Sequence, residues 1–512
     1  MRLKEMWRQT LQLSTALLFL LKCKNGVHRL LLALPLISVV SFAHASTNNV
    51  ADLFSIFEPK DEGKVGAAQH PRIVAQYGGE YVKEGLNDYI LDVVLRLVSV
   101  TERKGEPWRV TILNSPAVNA FALPGGYVYV TRGLLAIADS EAEVAGVLAH
   151  EIGHVIARHG AGRQSRATGV GLLGAIAGIL TQSGDVARLG QTVGGLFLAD
   201  YSRDQEYEAD KLGVKYLGLA GYPRDAMAAF LVQLQANADY IKGQTGDKQK
   251  EGRFDFFSSH PQTEDRVERA KSLAQNADSD DEAPREAGRV SYLGYIDGLL
   301  FGEDVREGVI RKQTFLHPNM RFQFDAPENF KLTNSARAVF AGDGKGNQMV
   351  FDFDLKGLRN LSPAEYMKRV WLQKAPINNV TTIEVSGSNA AISRFVVKNK
   401  GSKRYVTAVA INFGANRVAR FVYNSKTRSK NLEGQYEISY ASFRPMQFSE
   451  AEKIKPVHLS IKTVSEGEDF EDLLASMAEQ QSKKELFLLL NSKFQKNEPS
   501  AGQLYKLPVA EK

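Results

Sequence analysis

The stretch SEAEVAGVLAHEIGHVIARHG, Ser140 to Gly160, decides how the rest of the chain is read. Ser140 followed three residues later by Glu143 is a capping box and sets a helix start. Gly160, able to take the left-handed conformation, sets the expected stop. Val144, Val147, Leu148, Ile152, Val155 and Ile156 give the helix a broad apolar face, so it is expected to be buried. Into that burial the sequence puts His150, Glu151 and His154. Histidines four residues apart lie on one side of a helix, one turn above the other. Two imidazoles so placed can meet one tetrahedral zinc ion while the neighbouring carboxylate faces an attacking water. The alternative is a pair of core histidines satisfied by hydrogen bonds. It leaves Glu151 as a charge in an apolar helix without a compensating partner, which zinc would supply.

The second chemical element is Tyr201 to Leu217, YSRDQEYEADKLGVKYL. Ser202 with Gln205 is another capping box. Glu206 and Asp210 are four apart and point the same way, with Glu208 on the opposite side and Ala209 small enough for close helix approach. A zinc ion held by two histidines needs a third protein ligand, and Glu206 fits as that ligand, with Asp210 one turn later placed to hold an imidazole. Taken without the first helix, the same residues read as a solvated acidic helix end.

Upstream, Tyr77 to Val100 shows helical apolar spacing over its second half, and Trp108 to Asn114 alternates like a strand. Asn119 to Thr131, NAFALPGGYVYVT, reads as two short extended pieces split at Pro124-Gly125-Gly126. The proline suggests an exposed sheet edge, which can bind an extended peptide as an added strand; an ordinary hairpin is the alternative. Gly169 to Leu180 is an apolar, glycine-rich run too short for a bilayer, read as a packed helix or a hinged lid.

These motifs together resemble the HtpX/BepA/CAAX-prenyl-endopeptidase group of zinc metallopeptidases, of the HExxH…ExxxD gluzincin type. The resemblance rests on HEIGH, on SRDQEYEAD about fifty residues later and on NAFALPGG, and it covers roughly Val65 to Ala274. It implies a mainly helical zincin-type body with a small edge sheet. It implies His150, His154 and Glu206 as ligands of one zinc ion, Glu151 as general base, and Asp210 as catalytic acid or ligand-orienting partner. Ser258-Ser259-His260-Pro261, followed by Arg266, resembles the family's His-Pro…Arg element. That makes His260 a candidate oxyanion donor or reversible extra ligand, against the alternative of a surface-loop histidine. His159, five residues past His154, is expected to point away from the metal face, as a structural or an exposed residue. His70, His317 and His458 carry no expected role. Without an apolar run of eighteen residues in the mature chain, a BepA-like exported member is the closer comparison than the membrane-embedded ones. The helical-hairpin repeats of that comparison have no counterpart here.

The chain has 512 residues, 44% of them hydrophobic, enough for about three domains. Its formal charge of +6 is concentrated in residues 1–45, which hold six basic residues against one acidic; the remainder is near neutral, giving no support for nucleic-acid binding. Residues 1–45 read as a signal peptide: Arg29, the apolar run Leu30 to Phe42, then Ala43-His44-Ala45. An uncleaved membrane anchor is the alternative. Cys23, the single cysteine, lies in this leader, so disulfides and thiolate ligands are excluded from the mature chain, and a periplasmic location is expected.

The metallopeptidase domain is expected over 46–275, with an acidic, proline-containing linker at 276–290. From 291 to 450 the texture becomes β-rich, with strands expected at Phe315 to Phe324, Ala338 to Phe340, Gln348 to Leu355, Thr381 to Val385, Ala391 to Val397, Tyr405 to Phe413 and Val418 to Tyr423, and a helix at Pro363 to Leu372. That predicts an antiparallel-sheet α+β accessory domain for binding or scaffolding. Residues 455–512 read strand, helix, helix, strand and resemble a degenerate LysM module, which implies contact with peptidoglycan; a helical cap on the preceding domain is the alternative. The whole is a multidomain α+β protein. Its expected chemistry is peptide hydrolysis on unfolded or misassembled envelope proteins held as an added strand near Asn119, Ala120, Phe121 and Ala122. The rivals are a chaperone-like binding protein with a plugged site, and a peptidoglycan-associated factor.

Overall fold

In the computed structural model the described residues are 62–159, 201–245, 256–258, 260, 265–276, 288–335, 338–399, 402–414, 417–478, 482–491 and 499–511. The expected leader, the Gly169 to Leu180 run and most of the 276–290 linker lie outside them. Two helices open the described chain, α1 (Glu62–Gln76) and α2 (Leu86–Ser99). The apolar period read upstream of Val100 is α2, whose Ile90, Val93, Val94 and Leu97 are fully buried. Three short strands follow, β1 (Arg109–Leu113), β2 (Ala120–Leu123) and β3 (Tyr127–Thr131), in the order β1-β3-β2. β1 is parallel to β3 and β2 antiparallel to it, so β2 is an edge strand as well as half of a hairpin. Gly125 and Gly126 turn that hairpin at positive φ, and a side chain on Gly126 would collide with the Pro107 carbonyl.

α3 (Arg132–Ile137) then leads into α4 (Glu141–Ile156), the helix of the two histidines. It is followed by α5 (Arg203–Leu219), α6 (Ala226–Thr245) and α7 (Arg266–Gln275). Small residues let α4 and α5 meet backbone to backbone. A side chain on Gly153 would lie 3.1 Å from the Ala209 carbonyl, and one on Gly213 3.2 Å from the His150 amide. That approach is what lets a carboxylate on α5 reach imidazoles on α4. Among the described residues no helix is long and apolar enough to cross a membrane.

After α8 (Arg289–Ile296) and β4 (Leu300–Phe301) the chain turns to strands: β5 (Val309–Arg311), β6 (Thr314–His317), β7 (Phe322–Asp325), β8 (Lys331–Asn334), β9 (Val339–Gly342) and β10 (Gln348–Asp354). A short helix α9 (Pro363–Tyr366), extended by a π-turn over Met367–Trp371, separates these from β11 (Thr381–Val385), β12 (Ser388–Asn399), β13 (Ser402–Asn412) and β14 (Val418–Ser425). α10 (Lys430–Ala441), β15 (Arg444–Pro445) and α11 (Phe448–Ala451) complete the region. Its antiparallel sheets have the orders β11-β12-β13-β14-β10-β9-β8 and β15-β7-β6-β5. Phe315, Phe322, Phe324, Phe351 and Phe421 fill one side of the larger sheet, and Tyr366, Trp371 and Leu372 cover the other. The single strand expected over Phe315 to Phe324 is instead the β6–β7 hairpin, because Pro318 cannot donate to a ladder and Arg321 sits at φ 54°.

The C-terminal segment has the expected order, β16 (Val457–Thr463), α12 (Phe470–Ser476), α13 (Lys483–Leu490) and β17 (Leu504–Ala510). β4 pairs with β16, tying this hairpin to the chain beyond α8. Leu459, Leu473, Leu486, Leu490, Tyr505 and Leu507 belong to the same apolar cluster as α2, α4 and α6. A βααβ unit of about fifty residues has too little interior of its own, and here its apolar side is buried against α2, α4 and α6.

Candidate metal centre

α4 is capped by Ser140, whose side chain accepts from the Glu143 amide at 3.3 Å, but the expected capping box is only half formed, because the Glu143 carboxylate does not return to the Ser140 amide. Glu143 turns its carboxylate to the Asp139 amide (2.7 Å). The helix ends at Ile156, about one turn before the glycine expected to stop it, and the left-handed residue is Arg158 at φ 57°, two residues before that glycine. That reversal corrects the reading of His159. Extrapolating the helix sends His159 away, but the turn brings it back beneath the site, with Nδ1 2.8 Å from His154 Nδ1 and Nε2 3.2 Å from Glu208 Oε2. α5 carries the complete Ser202–Gln205 capping box.

His150, His154, Glu206 and His260 converge with one donor atom each inside 4.8 Å, all buried. His150 Nε2 lies 3.0 Å from His154 Nε2 and 3.3 Å from His260 Nδ1. Glu206 Oε1 lies 3.4 Å from His154 Nε2 and 3.0 Å from His260 Nδ1. A tetrahedral zinc ion with bonds of about 2.0–2.1 Å spaces its ligand atoms about 3.3–3.4 Å apart, so these separations suit one ion among them. Glu151, fully buried, has Oε1 3.3 Å from His260 Nε2.

Asp210 and Arg266 hold this set in place. His150 Nδ1 is 2.9 Å from Asp210 Oδ1, which directs Nε2 toward the cluster. Arg266, fully buried at the start of α7, forks to Asp210 at 2.9 and 2.7 Å and reaches Glu206 Oε2 with Nη1 at 2.7 Å. Burial would raise the Asp210 pKa, but His150 and Arg266 hold its carboxyl well below the usual range. Burial and the neighbouring imidazoles push His154 well below its ordinary value, keeping it in the neutral form that can ligate. For His150 burial opposes the charged form, but the bond to Asp210 and the charge of Glu206 outweigh it, and its pKa is raised. Glu151, Glu206 and Asp210 lie around the guanidinium of Arg266, so a divalent cation among the imidazole nitrogens would offset buried negative charge.

Aromatic rings pack the imidazoles. Tyr201 stacks on His154 at 3.6 Å and Phe256 on His260 at 4.3 Å. The Phe256 amide donates to the Val118 carbonyl at 2.9 Å and its carbonyl accepts from the His260 amide at 3.0 Å, so the turn carrying His260 is pinned beside the start of β2. Every residue expected at the metal, His150, Glu151, His154, Glu206, Asp210 and His260, comes together. Asn119, Ala120, Phe121 and Ala122 lie on or just before the edge strand β2, with Phe121 stacked on Tyr129 and tilted against Tyr77. His70 packs on Tyr129 instead. Sequence reasoning gave no site role to Arg266, His159, Tyr201 or Phe256. Only Arg266 had a signal, its place after His260-Pro261.

Residues 85–274 match the model of peptidase family M48. The beta-barrel assembly-enhancing protease of Escherichia coli K12 is 32% identical over 198 residues, covering 37% of this chain and 39% of that protein. The mitochondrial metalloendopeptidase OMA1 of Arabidopsis thaliana is 36% identical over 174 residues, 34% of this chain and 32% of that protein. OMA1 of Saccharomyces cerevisiae is 32% identical over 167 residues, 32% of this chain and 46% of its own length. This chain thus spans less than half the length of these curated relatives. The chain carries a peptidase family M48 domain at residues 85–274, and the histidine and carboxylate cluster described above lies within it.

Proposed function

We propose that the chain is a zinc-dependent endopeptidase acting, after export to the periplasm, on unfolded or misassembled proteins of the cell envelope. The observation that carries this is the convergence of His150, His154 and Glu206, from two helices, beside the buried carboxylate of Glu151. A zinc ion held there would act as a Lewis acid toward a scissile carbonyl and an attacking water. Glu151 takes a proton from the attacking water and passes it to the leaving amine. Asp210 and Arg266 fix the ligands by hydrogen bonds, so the geometry costs no reorganisation during reaction. An extended substrate is held along the outer edge of β2, near Asn119 to Ala122. The envelope substrate class is supported by the name of the Escherichia coli relative, a beta-barrel assembly-enhancing protease.

The test is Glu151→Gln in the full chain. It should keep about one zinc per chain while casein hydrolysis falls by about 10²–10⁴-fold. Glu206→Ala should lose the zinc itself. Full proteolysis by a zinc-loaded Glu151→Gln protein contradicts the reading. A second reading is favoured by the position of His260: its Nδ1 stands within 3.3 Å of both His150 and Glu206, where it can complete a tetrahedron and hold the enzyme closed.

A further inference from the structure

A cleft of about 500 Å³ runs between the peptidase helices and the β-rich region, outside the metal centre. Its walls include Ile137, Phe301, Phe340 and Leu490, but it also holds polar groups that have no partner among the described residues. Arg132 is 1% exposed; its Nε donates to Asn114 Oδ1 at 2.8 Å and its Nη1 to the Leu300 carbonyl at 2.9 Å. Its Nη2 has no partner, and burial pulls its pKa down to about 10. Gln76 leaves both Oε1 and Nε2 unpaired, and Asn334 leaves Oδ1 unpaired while its Nδ2 donates to the Glu307 and Gly308 carbonyls. All three residues line the cleft. Buried polar atoms are paired in the great majority of cases, and an unpaired one is costly to keep away from water.

The pattern of these atoms selects the ligand. Two donors and two acceptors beside apolar walls match a chain of peptide groups with apolar side chains, since each peptide unit offers one N–H and one C=O. Glu303, Asp304 and Glu307 line the same cleft; Asp304 is paired with Arg306 and Glu303 with Arg311, and Glu307 balances the charge of Arg132, so the lining offers no net positive charge to an anionic ligand. Ser115, Pro116, Ala117 and Val118 form one wall, and the edge strand β2 begins two residues beyond Val118. We propose that this cleft is a second binding site for extended, neutral to basic polypeptide, which engages a part of the substrate remote from the bond being cut. The proposal rests on the peptidase reading above for its choice of ligand.

The experiment measures equilibrium binding, so a protein that cleaves nothing still reports on the cleft. The probe is fluorescein-labelled ribonuclease A, reduced and carbamidomethylated so that it stays unfolded, titrated against the full chain carrying Glu151→Gln. The unfolded chain should bind at least tenfold more tightly than a labelled hexapeptide. Adding Gln76→Met, which removes no hydrogen bond within the protein, should weaken binding of the long chain about fivefold; adding Asn334→Leu as well should abolish its advantage over the hexapeptide. Thermal unfolding of each variant separates lost binding from lost fold, and Gln76→Met alone decides if the double variant does not fold. Equal affinity of folded Gln76→Met for the long chain overturns the proposal, as does displacement of the probe by chitohexaose, which would make the cleft a glycan site.

Discussion

Lys506→Met tests whether the C-terminal strand is a structural part of the metal site. Lys506 is fully buried on β17, and its Nζ donates to the carbonyls of Ala136 (3.2 Å), Ile137 (3.1 Å) and Ala138 (2.7 Å). It also lies 3.2 Å from Asp139 Oδ1, itself buried. Those four residues are the end of α3 and the link into Ser140, the cap of the helix that carries His150 and His154. Methionine keeps the apolar stem and removes the charge, leaving Asp139, among the described residues, with the guanidinium of Arg289 at 3.9 Å. Breaking a buried pair by removing one partner costs about 3–5 kcal/mol. Part of that is offset because burial lowers the Lys506 pKa, so the ammonium is itself expensive to bury. A net loss of about 2–4 kcal/mol is expected, a fall in melting temperature of roughly 4–16 °C at 2–4 °C per kcal/mol. The assay is thermal unfolding of the zinc-loaded protein at pH 7.5, followed by circular dichroism and by zinc release. Unfolding and zinc release should shift together. Adding Asp139→Asn to Lys506→Met should recover at least half of the loss, because the stranded charge is then gone. A melting shift below 1 °C, or zinc release unchanged while the C-terminal segment unfolds separately, would refute the reasoning.

Two further outcomes are expected. His260→Ala should raise casein hydrolysis about tenfold and weaken zinc binding if His260 closes the site; a loss of activity with zinc retained would assign it to transition-state binding instead. His317, packed against Phe315 and Phe322 and accepting from the Met320 amide, has its pKa pushed down to about 4 by burial, with Arg417 adding to the effect. Between that value and about 6.5 the unfolded chain holds the extra proton, so this group makes stability rise as pH rises through the window. Since the ring is only partly buried, about 1–2 kcal/mol is expected after solvent screening. His317→Asn should therefore reduce the difference in melting temperature between pH 4.5 and 7.5, and an unchanged difference would sink the assignment.

Spacing along the chain was enough to bring the candidate ligands together, while much of what supports them could not be read from it. His150, Glu151 and His154 are placed by one helix, and Glu206 and Asp210 by another, so four-residue spacing sufficed to put each pair on one face. Capping residues marked both helix starts for the same reason, since a cap is a contact over three residues. The alternation in the second half gave β10, β12, β13 and β14, because a strand's two faces repeat every second residue. Tertiary structure decided what depends on contacts without a local period. Arg266 reaches Asp210 across 56 residues, and Lys506 reaches Asp139 from the far end of the chain. No spacing announces either pair. His159 was misread because one left-handed residue, Arg158, redirected the chain after the helix, a choice among backbone wells that is fixed by packing. The C-terminal segment gave its element order to the sequence reader, but apolar residues look the same whether they face their own partners or a neighbour's. Only the packed structure shows that Leu486, Leu490 and Tyr505 are buried in one core with the helix that carries the histidines.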